Sequence, residues 1–291
     1  MHYNTLNLNM TCIVCGADQF TVIVSRRGWR VGRCMTCGLV QVVPMPTEKK
    51  IASLYHEDMD HFDPYIAQLP VHRAYFRTKI HELVTLIGAP RHRNLRLLDI
   101  GCAMGVLLAE AKKQGFGPTG IDISGDAVAY CRRHGLDARR GTVQNVQFKK
   151  NSFDAVTAFE ILEHERDPLG LLKRMNALLK KDGIAVLTTP DHAGKWRKIM
   201  GKWWVGYKHP EHVTFWNAQS LMFLMKKAGF TDITVRHDSP RPFPLSFAFT
   251  RGADYFPSLA WGMKPIGALL DRFRILNPIN PWDDLITVGR K

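Results

Sequence analysis

The chain has 291 residues, 45% of them apolar and 23% charged, and a formal net charge of +14, a balance that excludes intrinsic disorder and suits one substantial domain plus a small accessory one. No apolar run approaches the roughly 20 residues that span a bilayer, and the first ten residues lack the basic and apolar regions of a secretory signal, so a cytoplasmic protein is expected. The basic excess is diffuse rather than gathered into a tail, which suits a basic soluble enzyme and leaves an acidic substrate, RNA or an anionic membrane surface as partners.

The first element is a four-cysteine clip. Cys12-Ile-Val-Cys15 is followed, after eighteen residues, by Cys34-Met-Thr-Cys37, a spacing that reads as a zinc site. Each pair sets two thiolates on one tight turn. Residues Phe20 to Val24 and Trp29 to Arg33 read as strands joined at Ser25 to Gly28, so residues 1–46 form a zinc ribbon. Four thiolates leave no position for a reactive water, which makes the Zn2+ structural; reduced thiols or two disulfides are the alternative. A helical connector over residues 47–94 follows, with a helix from about Tyr65 to Ile87 ended by Gly88-Ala-Pro90.

From residue 95 to 291 the pattern is that of a doubly wound α/β domain. An apolar strand, Leu95 to Ile100, runs into Gly101-Cys-Ala-Met-Gly105 and a helix from Val106 to Gln114. The next strand, Pro118 to Asp122, ends in an acid 23 residues after Asp99, where a carboxylate accepts both hydroxyls of a ribose. The alternation continues with a helix Gly125 to His134, a strand Phe153 to Ala158, a helix Pro168 to Leu179 and a strand Gly183 to Thr189. The glycine turn lacks the dinucleotide fingerprint, and no P-loop is present. The expected nucleoside therefore carries no phosphate, and S-adenosyl-L-methionine is such a ligand. A βα corner that binds nothing is the alternative.

Residues 97–105 (Leu-Leu-Asp-Ile-Gly-Cys-Ala-Met-Gly), 120–124 (Gly-Ile-Asp-Ile-Ser), 153–164 (Phe-Asp-Ala-Val-Thr-Ala-Phe-Glu-Ile-Leu-Glu-His) and 182–190 (Asp-Gly-Ile-Ala-Val-Leu-Thr-Thr-Pro) resemble, in order and spacing, the successive motifs of class I S-adenosylmethionine-dependent methyltransferases. The resemblance covers about residues 95–235, and a last strand, Leu285 to Gly289, fits the family's closing hairpin. It implies a Rossmann-like seven-stranded sheet. It implies that Asp99, Gly101, Cys102, Ala103 and Gly105 line the methionine part of the cofactor, with Ala103 where many members have glycine. Asp122 would hold the ribose and Ile123 the adenine, Thr142 and Val143 would flank the base, and Phe159 and Glu160 would lie near the sulfonium. A ribbon ahead of such a domain resembles a subgroup that includes sugar C-methyltransferases and enzymes of polysaccharide or lipid pathways.

Two constellations offer acceptor chemistry. Glu160-Ile-Leu-Glu163-His164, if helical, puts three ligands on one face; a similar run in ubiquinone-pathway O-methyltransferases looks like a metal motif. Helix capping and cofactor contact are the plainer reading, with His164 as a second candidate base. Tyr207-Lys-His-Pro-Glu-His212 carries His212 as the first candidate base, oriented by Glu211 or His209, against a structural loop whose histidines bond the backbone. Trp196, Trp203 and Trp204 shape a pocket or pack an interface. An insertion over residues 239–283 is rich in Pro, Phe, Leu and Trp with arginines among them. Its segment Tyr255 to Phe273 reads as a lid, a packed helix or a peripheral membrane contact. The expected function is methyl transfer to a small-molecule acceptor (a sugar, a lipid-linked saccharide or a quinone-like compound). An RNA methyltransferase gripping phosphates through ribbon residues Arg26, Arg27, Arg30 and Arg33 is one alternative, and a non-catalytic cofactor-binding partner subunit is another.

Overall fold

The structure, a computed structural model, describes residues 5–7, 11–26, 28–52, 65–66, 68–88, 94–208, 211–239, 243–246, 249, 257–272, 276–277 and 283–291. The ribbon holds β1 (Thr5–Asn7), β2 (Gln19–Arg26), β3 (Trp29–Cys34) and β4 (Val40–Val42), an antiparallel set. A fifth strand comes from far along the chain: β10 (Thr214–Phe215) pairs with β4, Thr214 opposite Gln41 and Phe215 opposite Val40. The ribbon is therefore an annex of the main domain. Cys12, Val14, Phe20 and Cys34 share a core with Trp216, Leu221 and Leu224.

The main sheet has seven strands: β5 (Arg96–Ile100), β6 (Gly117–Asp122), β7 (Asp137–Arg140), β8 (Phe153–Phe159), β9 (Leu179–Pro190), β11 (Thr231–His237) and β14 (Asp284–Arg290). Their order is β11-β14-β9-β8-β5-β6-β7, with β14 antiparallel to both neighbours. The central strands are near-continuous apolar runs because helices cover both faces; Leu97, Leu98, Val156, Ala185 and Leu187 are all buried. Between them run α3 (Val106–Lys113), α4 (Gly125–Arg133), α5 (Pro168–Leu178), α6 (Lys195–Met200) and α7 (Ala218–Lys227), after α1 (Glu48–Ala52) and α2 (Leu69–Ile87).

Helix α2 begins with a proline in its first turn and ends at Gly88 in the left-handed region, φ 64°. It seats Ile80 and Leu83 against Leu97 and Ile286. The buried Lys79 ammonium and the Tyr75 hydroxyl both donate to the buried Asp238 carboxylate just past β11. A charge pair so placed is costly to break from one side, and it locks the connector helix over the sheet edge. Helix α7 starts at a reciprocal cap between Asn217 and Ser220.

The chain steps from β5 outward to β6 and β7, then returns across β5 to β8 and β9. The topological switch point thus lies between β5 and β8, and the crevice beyond their carboxyl ends is where such sheets bind ligands. The insertion between β11 and β14 contains β12 (Phe243–Pro244) paired with β13 (Leu276–Asn277), and helix α8 (Ala260–Asp271). Tyr255, Phe273, Arg241, Arg251 and Arg274 lie outside the described residues.

Candidate active site

Three strand ends meet at the crevice. After β5 the backbone enters the left-handed region three times in five residues, at Gly101 (φ 75°), Ala103 (φ 43°) and Gly105 (φ 67°). Glycine meets this at no steric cost; alanine at 103 carries roughly 1 kcal/mol of strain. The loop is held by its neighbour. Both Gly101 N–H and Cys102 N–H donate to the Ile121 carbonyl, and Ala103 N–H donates to Asp122 Oδ2 at 2.8 Å. The other Asp122 oxygen accepts Ser124 N–H at 2.9 Å. Each carboxylate oxygen keeps a further lone pair, so Asp122 braces the loop and still presents two acceptors.

The remaining expected cofactor residues divide by where their side chains go. Asp99 is buried at the end of β5 and accepts the Thr157 hydroxyl at 2.7 Å; burial and the nearby Asp122 push its carboxyl up to about 7. Ile123 is exposed beside Asp122. Glu160, at φ 56°, ends β8 and accepts the Thr188 hydroxyl at 2.7 Å. The Cys102 side chain instead packs beneath Gly120, among Leu108, Val128 and Cys131, so only its backbone belongs to the loop. Val143 is buried in the main core, while Thr142 is half-buried and donates its backbone N–H to Asn145 Oδ1 at 2.8 Å. The Phe159 ring lies edge-on to Phe76 and Tyr75 of α2, with centroids 5.4 and 6.3 Å away. These two aromatics carried no sequence signal tying them to the site, because only the fold lays α2 across the end of β8.

On the acceptor side, the helix on which a shared Glu160–Glu163–His164 face depends does not form. Glu160 is in the left-handed region, and only Leu162–His164 make a single 3-10 turn. The i, i+3, i+4 face is therefore absent, since the chain must turn sharply where it leaves the sheet. Tertiary structure supplies a different trio. One ligand atom each from Glu163, His164 and His212 lie within 4.8 Å of one another, and the two imidazoles meet edge-to-face at 4.7 Å. His212 Nδ1 lies 2.9 Å from the Gly206 carbonyl, and His164 Nδ1 lies 3.1 Å from the Glu211 carbonyl. A carbonyl only accepts, so each Nδ1 carries the proton and each Nε2 holds the lone pair. Burial drives the His164 pKa down to about 4 and that of His212 well below its usual value. Both rings are neutral at pH 7, as a general base or a metal ligand requires.

Glu163 is the least satisfied group. Its side chain is buried, neither oxygen makes a hydrogen bond of ordinary geometry, and Glu160 and Asp284 face it. Burial first, and those acids second, raise its pKa well above the usual carboxylate range. The Glu211 carboxylate is committed to Lys208 at 2.5 Å, so it reaches the cluster through its carbonyl, toward His164 rather than His212. His209 lies outside the described residues. Trp204 and Tyr207 are buried against ribbon residues Trp29, Val31 and Val42, with Trp196 beside them, and Tyr207 bonds His192. Trp196 and Trp204 thus pack the ribbon interface, whereas Trp203 is exposed.

In the ribbon, the Sγ atoms of Cys12 and Cys37, and of Cys15 and Cys34, lie 3.5 Å apart, and all four fall within 4.8 Å. A tetrahedron with Zn–S bonds of about 2.3 Å has edges of about 3.8 Å, so the four sulfurs are grouped as a zinc shell requires. All four are free thiols, with no disulfide between them.

The family described as a methyltransferase domain matches residues 71–235. Among curated proteins, the chain is similar to ubiquinone biosynthesis O-methyltransferases. That of Actinobacillus pleuropneumoniae serotype 7 is 28% identical over 48% of this chain and 61% of that protein. That of Methylocella silvestris is 32% identical over 41% and 52%. That of Xanthomonas campestris is 37% identical over 32% and 42%. The chain thus spans about half the length of the curated relatives it matches. Among solved structures, a SAM-dependent methyltransferase from Thermotoga maritima, titled a possible histamine N-methyltransferase, aligns over 80% of this chain and 98% of its own, with TM-score 0.52 and 19% identity. One from Archaeoglobus fulgidus aligns over 79% and 100%, with TM-score 0.52 and 16% identity. These structures share the fold.

Proposed function

Because the chain belongs to the methyltransferase-domain family, we propose that it binds S-adenosylmethionine at the switch-point crevice and methylates a small-molecule acceptor whose reacting group lies beside His212. The observation that carries this reading is the acidic, phosphate-averse lining of the crevice. Asp122 and Glu160 stand at two strand ends around a bare-backbone loop, with the partly protonated Asp99 at the strand between them, an acidic lining that disfavours a pyrophosphate and suits a sulfonium nucleoside. The residues present fit that cofactor: Asp122 accepts from ribose hydroxyls, exposed Ile123 offers an apolar face to a base, and the Gly101–Gly105 backbone lies open to the rest. Once bound, the cofactor supplies an electrophilic methyl group.

The chain's own residues then have two tasks. The first is positioning, since an in-line displacement gains mainly from holding the reactants aligned. The second is proton removal. The named relatives are O-methyltransferases, and an acceptor hydroxyl must lose its proton; His212 Nε2 takes it as general base, with its ring fixed by the Gly206 carbonyl. A quinone-like or lipid-linked hydroxyl suits the relatives' names. The ribbon's inner face is consumed by packing against Trp216 and Leu221, which favours a structural role for the ribbon over an RNA grip.

A second reading concerns the trio. Glu163 lacks any ordinary hydrogen bond, and two imidazoles with one carboxylate form a known donor set for divalent transition metals. A cation held there would satisfy Glu163 and lie beside the acceptor position. The test of the main reading is calorimetric binding of S-adenosylhomocysteine, followed by an acceptor screen with labelled methyl groups. His212→Ala is expected to abolish turnover while sparing cofactor affinity. No binding at millimolar nucleoside sinks the cofactor assignment, and normal turnover of the variant sinks the base.

A further inference from the structure

Two surfaces joined to the carboxyl edge of the sheet are apolar, basic and exposed. The first is α6 with the turn after it. From His192 to Pro210 the sequence has five basic residues, Lys195, Arg197, Lys198, Lys202 and Lys208, and no acid. Lys195, Lys198 and Lys202 are exposed, and between them stand Ile199, 74% exposed, and Trp203, whose ring lies under the Lys202 ammonium at 5.6 Å. The second is α8. At 100° per residue, Leu259 just before the helix and Trp261, Pro265, Ile266 and Leu269 within it fall in one sector. All five are exposed, Trp261 to 82%. Lys264 borders the sector and Arg272 follows the helix end, both exposed; among the described residues of α8 only Gly267 is buried.

Both surfaces leave the main sheet at the same edge. Helix α6 follows the carboxyl end of β9. The insertion carrying α8 departs after β11 and returns at Asp284, which pairs with Pro190 at that same end of β9. Asp283 ties the two together, accepting Trp196 N–H through its side chain and Asp191 N–H through its carbonyl. This is also the edge where the crevice opens.

Soluble proteins seldom leave clustered large apolar side chains in water. Tryptophans and aliphatics interleaved with lysines, with no acid from residue 192 to 210 and one, Asp271, at the end of α8, are the composition of a segment that lies in a headgroup layer. We propose that α6 with Trp203, together with α8, docks this protein onto an anionic lipid bilayer. Trp203 and Trp261 sit at the interface, Ile199 and Leu269 reach below it, and Lys195, Lys198, Lys202 and Lys264 meet the lipid phosphates. No described helix is long and apolar enough to cross a membrane, so the contact is a surface one. Docking turns the crevice toward the bilayer, where an apolar or lipid-linked acceptor is concentrated. The surface stands on its own observations and does not depend on the methyl-transfer reading.

The experiment is flotation of the full chain with vesicles of phosphatidylcholine alone and of phosphatidylcholine mixed with phosphatidylglycerol. Wild type is expected to float with the anionic vesicles and to be released by salt. Lys195→Gln/Lys198→Gln/Lys202→Gln is expected to weaken binding about 100-fold, at roughly one lipid-surface interaction per lysine. Trp261→Asp/Leu269→Asp is expected to weaken it tenfold or more, about the loss of one buried apolar side chain. Thermal unfolding, which these surface substitutions leave unchanged, separates lost docking from lost fold. If a variant fails to fold, tryptophan quenching of wild type by brominated anionic lipid decides instead. Failure of wild type to float, unaltered flotation of both variants, or self-association through α8 without vesicle binding would each overturn the proposal.

Discussion

Replacing Asp122 by Ala removes cofactor recognition and loop bracing together, and two assays read the two losses apart. Its two oxygens hold the Ala103 and Ser124 N–H groups at 2.8 and 2.9 Å, and each has one lone pair left for a ribose hydroxyl. Hydrogen bonds to a charged group contribute about 1.5 kcal/mol each at the low end. Losing two removes about 3 kcal/mol, or more than 100-fold in affinity for S-adenosylhomocysteine. The orphaned N–H groups cost about 1 kcal/mol each, so the folded state loses about 2 kcal/mol as well. Asp122→Asn keeps one oxygen as acceptor and is expected to fall near tenfold in affinity. Calorimetry reads the affinity and urea denaturation reads the stability. A folded Asp122→Ala protein whose dissociation constant moves by less than about threefold, under 0.7 kcal/mol, refutes the ribose assignment.

Asp99 makes stability depend on pH. Its carboxyl titrates near 7 in the fold against 3.8 as the unperturbed value, so the native state binds the proton more tightly. That contribution is whole below about pH 4 and is lost as pH rises through 7, about 4 kcal/mol in order of magnitude. Asp99→Asn, which still accepts from Thr157, is expected to flatten urea-derived stability between those limits. In the ribbon, Cys34→Ser is expected to abolish a stoichiometric zinc signal in elemental analysis and to lower the thermal midpoint, because binding energy at a structural zinc site is folding energy; retained zinc would exclude the four-sulfur shell. At the acceptor side, the visible spectrum of added Co2+ is expected to show, beyond any ribbon signal, a second class of site that Glu163→Gln removes. Glu163→Gln also relieves a buried carboxylate, so stability above neutral pH is expected to rise; a fall there would mean the native fold depends on the charge.

Local pattern alone determined much of this protein. The cysteine spacing, the glycine turn after β5, the acid ending β6 and the alternation through β9 are short-range features, each read by one turn or one strand of chain, and the four Sγ atoms do cluster as that spacing implies. What only tertiary structure decided are the long-range pairings. Strand β10 has two residues and no periodicity of its own; it exists because β4 accepts it. Val213 N–H then reaches the Glu163 carbonyl, and His212 is carried against His164 across 48 residues of chain. The conditional Glu160–His164 helix is absent for the same reason: the sheet edge imposes a turn there. Side-chain direction was equally illegible, so Cys102 and Val143 face the core while their backbones line the loops. Sequence carries what adjacent residues do to one another; the acceptor cluster is assembled from segments that meet only after the sheet has formed.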